Sequence, residues 1–222
     1  MGRKGPRVTG ASQPGLGGYR ASGNIHRWPE YSGAMGQIIV EQVISADGYA
    51  ADKAGGIGFF EQDSTLSEMN ADQLEMLEGV DAMVFGANTY RMFREFWPTP
   101  ASANEPVANF INTRPKHVVS STLSSAPWGS FAPAQIEKGD AMETLKRLRH
   151  QYSGHIIIWG SLTLAEAALR ARVADRLRLR SVPVLIGSGR SATPDDLEDT
   201  RLTLLTAKSY PNGHVLQDYQ IV

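Results

Sequence analysis

The chain has 222 residues, of which 41% are hydrophobic and 20% charged, a composition typical of one soluble globular domain. It contains no cysteine, which excludes disulfides, thiolate chemistry and cysteine-ligated metals. The net charge is −1 and no apolar run approaches the ~18 residues of a membrane span, so we expect a cytoplasmic protein without nucleic-acid or membrane partners.

Residues 1–34 differ in composition from the rest of the chain. They are rich in Gly, Ser and Arg, with few aliphatic residues and no hydrophobic periodicity. Such a segment buries too little apolar surface to order itself. We predict a disordered basic extension over residues 1–34 and a folded domain over residues 35–222. A basic arm that contacts a partner is the alternative.

The folded part begins with a predicted strand over Gln37–Ser45. Asp47 and Gly48 turn the chain out of this strand. A loop of small residues follows at 50–58, which is either a lid over a site or a plain surface loop. A capping-box pattern at residues 65–68 then begins the first predicted helix.

The next elements alternate between strand and helix. Asp81–Phe85 is a short buried strand, and the residues after Gly86 begin another helix. Three aromatic residues on that helix and just beyond it, Phe93, Phe96 and Trp97, suit the lining of a pocket for a flat ligand or a place in the core.

A third strand is predicted at Val118–Val119 and ends in three hydroxyl residues, Ser120, Ser121 and Thr122. Hydroxyls at a strand end can bind a phosphate or a ribose, although a polar turn has the same pattern. Asp140 is placed to cap the helix that follows.

Residues 155–172 carry the pattern around which the chain is organised. Ile156–Ile158 predicts a strand buried on both faces, Gly160 and Ser161 break it, and apolar residues follow at helical spacing from Leu164. A strand, a glycine turn and a helix in succession leave free N–H groups at the carboxyl edge of a sheet, where a pyrophosphate can bind. An ordinary strand–helix connection has the same pattern.

The C-terminal region is predicted to consist of strands. Leu177–Ile186 contains Pro183, which predicts a bulge or an edge position. Leu202–Thr206 and His214–Ile221 predict a closing antiparallel pair. The histidines show no metal-ligand spacing and no nucleophile elbow or nucleotide P-loop occurs, so neither a metal site nor acyl-enzyme chemistry is indicated.

Five stretches, taken in order, resemble the dihydrofolate-reductase-like superfamily. The likeness is to the reductase domain of the bifunctional riboflavin-biosynthesis deaminase–reductase (RibD C-terminal type) and its stand-alone relatives. The stretches are Ile44–Ala51, Val84–Tyr90, Lys116–Leu123, Ile158–Leu164 and Pro183–Gly189. The deaminase role of the bifunctional enzyme is excluded, because its zinc motif requires cysteine.

The resemblance implies an α/β three-layer fold: a mostly parallel central sheet with an antiparallel C-terminal strand and helices on both faces. It also implies a homodimer and a cofactor, NADPH with NADH as the alternative, bound along the carboxyl edge of the sheet. By position, the implied cofactor-binding residues are Gly86, Asn88 and Thr89 for the phosphates, Ser120, Ser121 and Thr122 for the adenosine ribose and its 2′-phosphate, and Gly160, Ser161 and Leu162 for the pyrophosphate and the nicotinamide side.

Two positions depart from the family pattern. Many relatives carry arginine where this chain has Ala87 and Ser121, and a hydroxyl cannot replace the charge of a guanidinium beside a 2′-phosphate. The cofactor is therefore NADH, or a basic residue from elsewhere, such as Arg114 or Lys116, supplies the missing charge.

The resemblance implies a reductase that transfers hydride from NAD(P)H to a C=N or C=O group of a small pyrimidine- or pterin-like substrate. Asp47 is the candidate catalytic residue, to orient the substrate or relay a proton, although Asp-Gly is also a common turn pair. Other acidic candidates are Glu41, Glu61 and Asp63. The alternative function is a non-catalytic nucleotide- or ligand-binding protein that keeps the fold.

Overall fold

The computed structural model describes residues 36–61 and 67–222, and all structural statements refer to these residues. The predicted extension over residues 1–34, the capping Thr65 and the candidate Asp63 lie outside them. The strands are β1 (Ile38–Ser45), β2 (Tyr49–Ala51), β3 (Val80–Gly86), β4 (Lys116–Val119), β5 (Gln135–Glu137), β6 (His155–Trp159), β7 (Arg176–Val182), β8 (Arg190–Ser191), β9 (Leu202–Ser209) and β10 (Val215–Ile221). The helices are α1 (Gly58–Glu61), α2 (Ser67–Leu77), α3 (Ala87–Phe96), α4 (Ala108–Thr113), α5 (Ala141–Gln151) and α6 (Leu162–Arg170), with a 3₁₀ turn at Pro100–Ser102.

Eight of these strands form one sheet in the order β5-β4-β3-β6-β1-β7-β10-β9. The first six run parallel to one another, β10 runs antiparallel to β7, and β9 runs antiparallel to β10. The remaining two, β2 and β8, pair with each other. The predicted α/β architecture, a mostly parallel sheet with an antiparallel C-terminal strand, is confirmed.

Helices cover both faces of the sheet, as predicted, and each face has its own apolar core. Side chains alternate along a strand, so the isoleucines of β6 serve both cores. Ile156 and Ile158 pack with α5 and α6, whereas Ile157 packs with residues of α2, α3 and α4. No helix of the described residues is long and apolar enough to cross a membrane.

The prediction for Pro183 is wrong in one respect. The strand was expected to run through Pro183 to Ile186, but β7 ends at Val182. Proline has no backbone N–H to donate to a neighbouring strand, so the ladder stops directly before it. Five short elements, β2, β5, β8, α1 and α4, had no counterpart among the predicted elements.

The aromatic cluster of α3 belongs mainly to the core. Phe93 packs on Phe85 with ring centroids 5.1 Å apart, and Trp97 packs on Phe93 at 6.0 Å. Phe96 is the exception, because 38% of it is exposed. The core interpretation therefore accounts for Phe93 and Trp97, and a pocket lined by all three rings is not formed.

A buried ionic network crosses β1, β7 and β10. Arg178 donates to Glu41 at 3.0 Å and to Asp218 at 3.4 Å, and Arg176 also pairs with Asp218. All four side chains are at most 4% exposed. Buried charges persist only when they are paired, so the charge of Glu41 in a buried strand is explained by its arginine partner. Glu41 is accordingly a structural residue, not a free carboxylate in a site.

Candidate functional site

The predicted site residues follow neighbouring parallel strands and therefore meet at one edge of the sheet. In spatial order, Ser120 follows β4, Gly86 ends β3, Gly160 follows β6 and Asp47 lies beyond the end of β1. Strands are spaced about 4.8 Å apart, so this row extends over roughly 14 Å. The carboxyl edge of an open parallel sheet is where α/β proteins bind their ligands.

At the centre of this row, hydrogen bonds tie the N-termini of α3 and α6 together. The Ser161 hydroxyl accepts from the backbone N–H of Gly86 at 2.8 Å, and the Thr89 hydroxyl accepts from the N–H of Ser161 at 3.0 Å. Thr89 and Ser161 are both buried. Three of the predicted cofactor residues thus form one unit that sets the two helix ends side by side.

The turn between β6 and α6 depends on an unusual backbone. Gly160 has a φ of +64° and Ser161 a φ of +44°, so two consecutive residues are left-handed. The amide of Gln42 donates to the Gly160 carbonyl at 2.5 Å and holds this peptide in place. Gln42 was not among the predicted site residues; its signal is a buried polar residue next to Glu41 in a mainly apolar strand.

The two helix ends suit an anion. Neither α3 nor α6 has a side-chain cap, and neither has an acidic residue in its first turn. By contrast, Asp140 caps α5 by accepting from the N–H groups of Met142 and Glu143, as predicted. Uncapped helix N-termini present free N–H donors and positive partial charge. Two of them side by side fit a pyrophosphate, so the residues present suit a dinucleotide.

Leu162 and Asn88 flank this unit on its two sides. The Leu162 side chain packs against Ile44, Ala50 and Ala192, so only its backbone faces the helix end. Asn88 is exposed, and its side-chain oxygen accepts from Arg91 at 2.9 Å. Arg91 therefore lies one helical turn beyond Ala87 and brings a cation to this end of α3.

The hydroxyl cluster after β4 has divided roles. The Ser120 hydroxyl is buried and accepts from the N–H groups of Thr122 and Leu123, so it shapes the turn. Ser121 and Thr122 are exposed. Lys138, directly after β5, donates to the Ser121 carbonyl at 3.4 Å and brings a cation to the end of the row where the adenosine was expected.

The basic residues proposed from the sequence to supply this charge lie at the wrong edge. Lys116 begins β4, about 13 Å of strand away from Ser120, and Arg114 precedes it. The Lys116 ammonium donates to the carbonyls of Ile111, Asn112 and Arg114 at 2.7–3.0 Å and so closes the C-terminus of α4. Burial lowers the pKa of Lys116 to about 8. Lys116 is a structural residue.

Asp47 joins the end of β1 to the loop after β7. Its carboxylate accepts from the Ser45 hydroxyl at 2.6 Å, the Gly187 N–H at 2.7 Å and the Ile186 N–H at 3.3 Å. The hydrogen bond from Ser45 is the main reason that the pKa of Asp47 is lowered. The side chain is exposed, so Asp47 presents an ionised carboxylate to solvent at the carboxyl edge.

The 46–57 loop is held against the 183–192 loop. Tyr49 pairs with Ser191 and Ala51 with Arg190, and the N–H of Ala46 donates to Val184 at 2.8 Å. A side chain at Gly189 would lie 2.0 Å from the Ala51 carbonyl, so the two backbones touch. The small-residue loop predicted from the sequence is thus partly a strand, fastened to the 183–192 loop beside the Asp47 end of the row. Within the described residues, no group of three or more His, Asp or Glu is placed to bind a metal ion.

Residues 37–216 match the family described as RibD C-terminal domain. Among curated proteins, the Bacillus subtilis protein YyaP, itself uncharacterized, is 18% identical over 81% of this chain and 92% of its own length. Such a distant relative adds no function.

Several solved structures share the fold. A putative riboflavin biosynthesis protein from Shewanella sp. PV-4 is similar with a TM-score of 0.68 and 20% identity, covering 84% of this chain and 99% of that one. A pyrimidine reductase-like protein from Corynebacterium diphtheriae has a TM-score of 0.60 and 21% identity, covering 84% of this chain and 92% of that one. The dihydrofolate reductase of Enterococcus faecalis has a TM-score of 0.54 and 12% identity, covering 84% of this chain and 98% of that one. The match over residues 37–216 establishes that the chain belongs to the RibD C-terminal domain family, and these solved structures share its fold.

Proposed function

We propose that this protein is an NADPH-dependent reductase of a small pyrimidine- or pterin-like substrate, acting on a C=N or C=O group. The observation that carries the proposal is the pair of uncapped helix N-termini, locked together at the carboxyl edge by Ser161 and Thr89. Membership in a family of reductases supports the reaction class, and the solved pyrimidine reductase-like protein supports the substrate class.

In this proposal NADPH supplies the hydride, and the protein binds and orients both partners. The N-termini of α3 and α6 hold the pyrophosphate, Ser121 and Lys138 face the 2′-phosphate, and the 46–57 loop excludes water. Asp47 is the proposed catalytic residue. Its lowered pKa keeps it ionised at neutral pH, which favours orienting a substrate N–H or a water over donating a proton itself.

The test is direct binding followed by turnover. We expect NADPH to quench the tryptophan fluorescence of the purified protein, because Trp159 ends β6 next to Gly160. Absorbance at 340 nm then reports oxidation of NADPH with a panel of oxidised pyrimidines and pterins. Binding without oxidation of any panel member would favour the alternative, a ligand-binding protein that keeps the fold. Failure of NADPH and NADH to bind would refute the cofactor site.

Lys138 is expected to set the preference for NADPH over NADH. A cation near a 2′-phosphate contributes up to about 1 kcal/mol at an exposed site, so Lys138→Gln should weaken binding of 2′,5′-ADP by up to roughly fivefold and leave 5′-AMP unchanged. The matched control is Lys146→Gln, which removes the same charge from α5, where Lys146 pairs with Glu143. Calorimetric titration measures both nucleotides. Equal losses for the two nucleotides would assign Lys138 no role at the 2′-phosphate.

A further inference from the structure

Three arginines alternate along β7, at positions 176, 178 and 180, and therefore share one face of the sheet. The face is fixed by strand register. Arg180 is opposite Val43 on β1 and Leu216 on β10. Leu216 packs with Met69 and Met76 of α2, so this is the face that α2 covers.

The first two arginines have partners that neutralise their charge. Arg176 pairs with Asp218, and Arg178 pairs with both Asp218 and Glu41. Their side chains are fully buried, and two carboxylates balance two guanidinium groups. On this part of the face the charges are neutralised and the side chains are shielded from solvent.

Arg180 differs from both. It is half-buried, and within residues 36–61 and 67–222 its guanidinium has neither a hydrogen-bond nor an ion-pair partner. A guanidinium has five N–H donors, and removing them partly from water without an acceptor is unfavourable. Among these residues Arg180 therefore has no direct ion-pair partner, unlike its neighbours on the same strand; it lies near Tyr210, whose hydroxyl donates to Asp72.

The position of Arg180 relates it to the row of cofactor residues. It lies two residues before the end of β7, and β7 is the next strand after β1 in the sheet. The row of strand ends that runs from Ser120 through Gly160 to Asp47 is thus continued by Arg180. The row ends at Arg180 on one side and at Lys138, the proposed adenosine end, on the other. A dinucleotide that extends along the row from Lys138 would therefore not contact Arg180, which remains available to the substrate.

We propose that Arg180 is the substrate-recognition residue, and that the substrate carries a pair of anionic oxygens, as a carboxylate or a phosphate. This inference rests on the proposed function for the identity of the ring. The planar fork of a guanidinium matches two such oxygens with two parallel hydrogen bonds. Arg180 is half-buried, and a partly desolvated guanidinium pairs with an anion more strongly than an exposed one does.

The experiment compares ligands that differ only in the anionic group. Orotate with uracil forms the carboxylate pair, and uridine 5′-phosphate with uridine forms the phosphate pair. We expect the wild-type protein to bind the anionic member of one pair roughly 10- to 100-fold more tightly, and the pair that shows this identifies the group. Arg180→Gln should bring the ratio to about one, and Arg180→Lys should restore part of it, since it keeps the charge without the fork.

Arg201→Gln is the matched control, because Arg201 precedes β9 at the opposite edge of the sheet and is exposed. It should retain the wild-type ratio. Arg180→Gln should melt at the same or a higher temperature, since it removes a half-buried charge without a partner. A lower melting temperature together with an unchanged ratio would make Arg180 a structural residue and overturn the proposal.

Two further outcomes separate this inference from the proposed function. A wild-type protein that does not distinguish the anionic member in either pair contradicts the role of Arg180, whatever its affinity for NADPH. If the ratio is found and depends on Arg180 but no nicotinamide nucleotide binds, the anion site stands and the reductase proposal fails. Arg180→Gln itself should bind NADPH as the wild type does, because the cofactor contacts lie on other strands.

Discussion

Gly160→Val is expected to abolish binding of NADPH while leaving a folded protein. Gly160 has a φ of +64°, and a Cβ atom there would lie 3.4 Å from the Thr89 methyl group. Valine adds two further methyl groups between the N-termini of α3 and α6, in the space that a pyrophosphate needs to approach their N–H groups. The loss of affinity should exceed roughly 100-fold, because both helix ends are blocked together.

The substitution also strains the backbone, and a control must separate strain from blockage. A β-branched residue in the left-handed region costs on the order of 1–3 kcal/mol of stability. Gly79, with a φ of +79°, lies directly before β3 at the opposite edge of the sheet. Gly79→Val should lower the melting temperature comparably but bind NADPH normally. A folded Gly160→Val protein with wild-type affinity would place the cofactor elsewhere.

Local patterns predicted most of the long strands and helices, whereas the sheet architecture was implied by the family resemblance. The β-branched run Ile156–Ile158, the glycine after it and the helical spacing beyond give β6 and α6, and Asp140 correctly marks the start of α5. The missed elements are short: β2 has three residues and β5 has three. Such segments have too few positions to show a period, and they are strands only because a partner pairs with them.

The sequence could place the predicted site residues at one edge of the sheet but could not predict their contacts. The ends of parallel strands meet at one edge, so Gly86, Ser120 and Gly160 could be placed together from the sequence. The hydrogen bond between Ser161 and Thr89 spans 72 residues of sequence and leaves no local signal. Arg176, Arg178 and Arg180 likewise look equivalent in the sequence, and only the ion pairs of the folded chain show that Arg176 and Arg178 are neutralised.

Asp47→Asn is expected to slow hydride transfer by about 10²- to 10⁴-fold, the range typical of losing acid–base assistance from a positioned side chain. The carboxylate is ionised, exposed and directed at the carboxyl edge, next to the end of the row where the nicotinamide is proposed to bind. Asparagine keeps the size and one acceptor oxygen for the Gly187 N–H but removes the charge. Affinity for NADPH and the melting temperature should therefore change little.

The pH dependence provides a second measurement. The pKa of Asp47 is lowered from its ordinary value of 3.8. At any pH above 3.8 the carboxylate is therefore ionised and accepts its hydrogen bonds, and these bonds are lost only as the pH falls through the lower pKa of the folded protein. The single-turnover rate should consequently show no titration of Asp47 between about pH 5 and 8. A rate that rises with an apparent pKa in that range, and loses this step in Asp47→Asn, would contradict the lowered pKa.

Asp52→Asn distinguishes chemistry from loop order. The Asp52 carboxylate accepts from the N–H groups of Ala54 and Gly56 within the same 46–57 loop, so it orders the loop without joining the row of strand ends. If Asp47 acts on the substrate, Asp47→Asn loses hydride transfer while Asp52→Asn retains most of it. Equal losses of the hydride-transfer rate in the two variants would mean that Asp47 acts only by fastening the loop to Ile186 and Gly187. Ordering of the loop is the one role that the two carboxylates have in common.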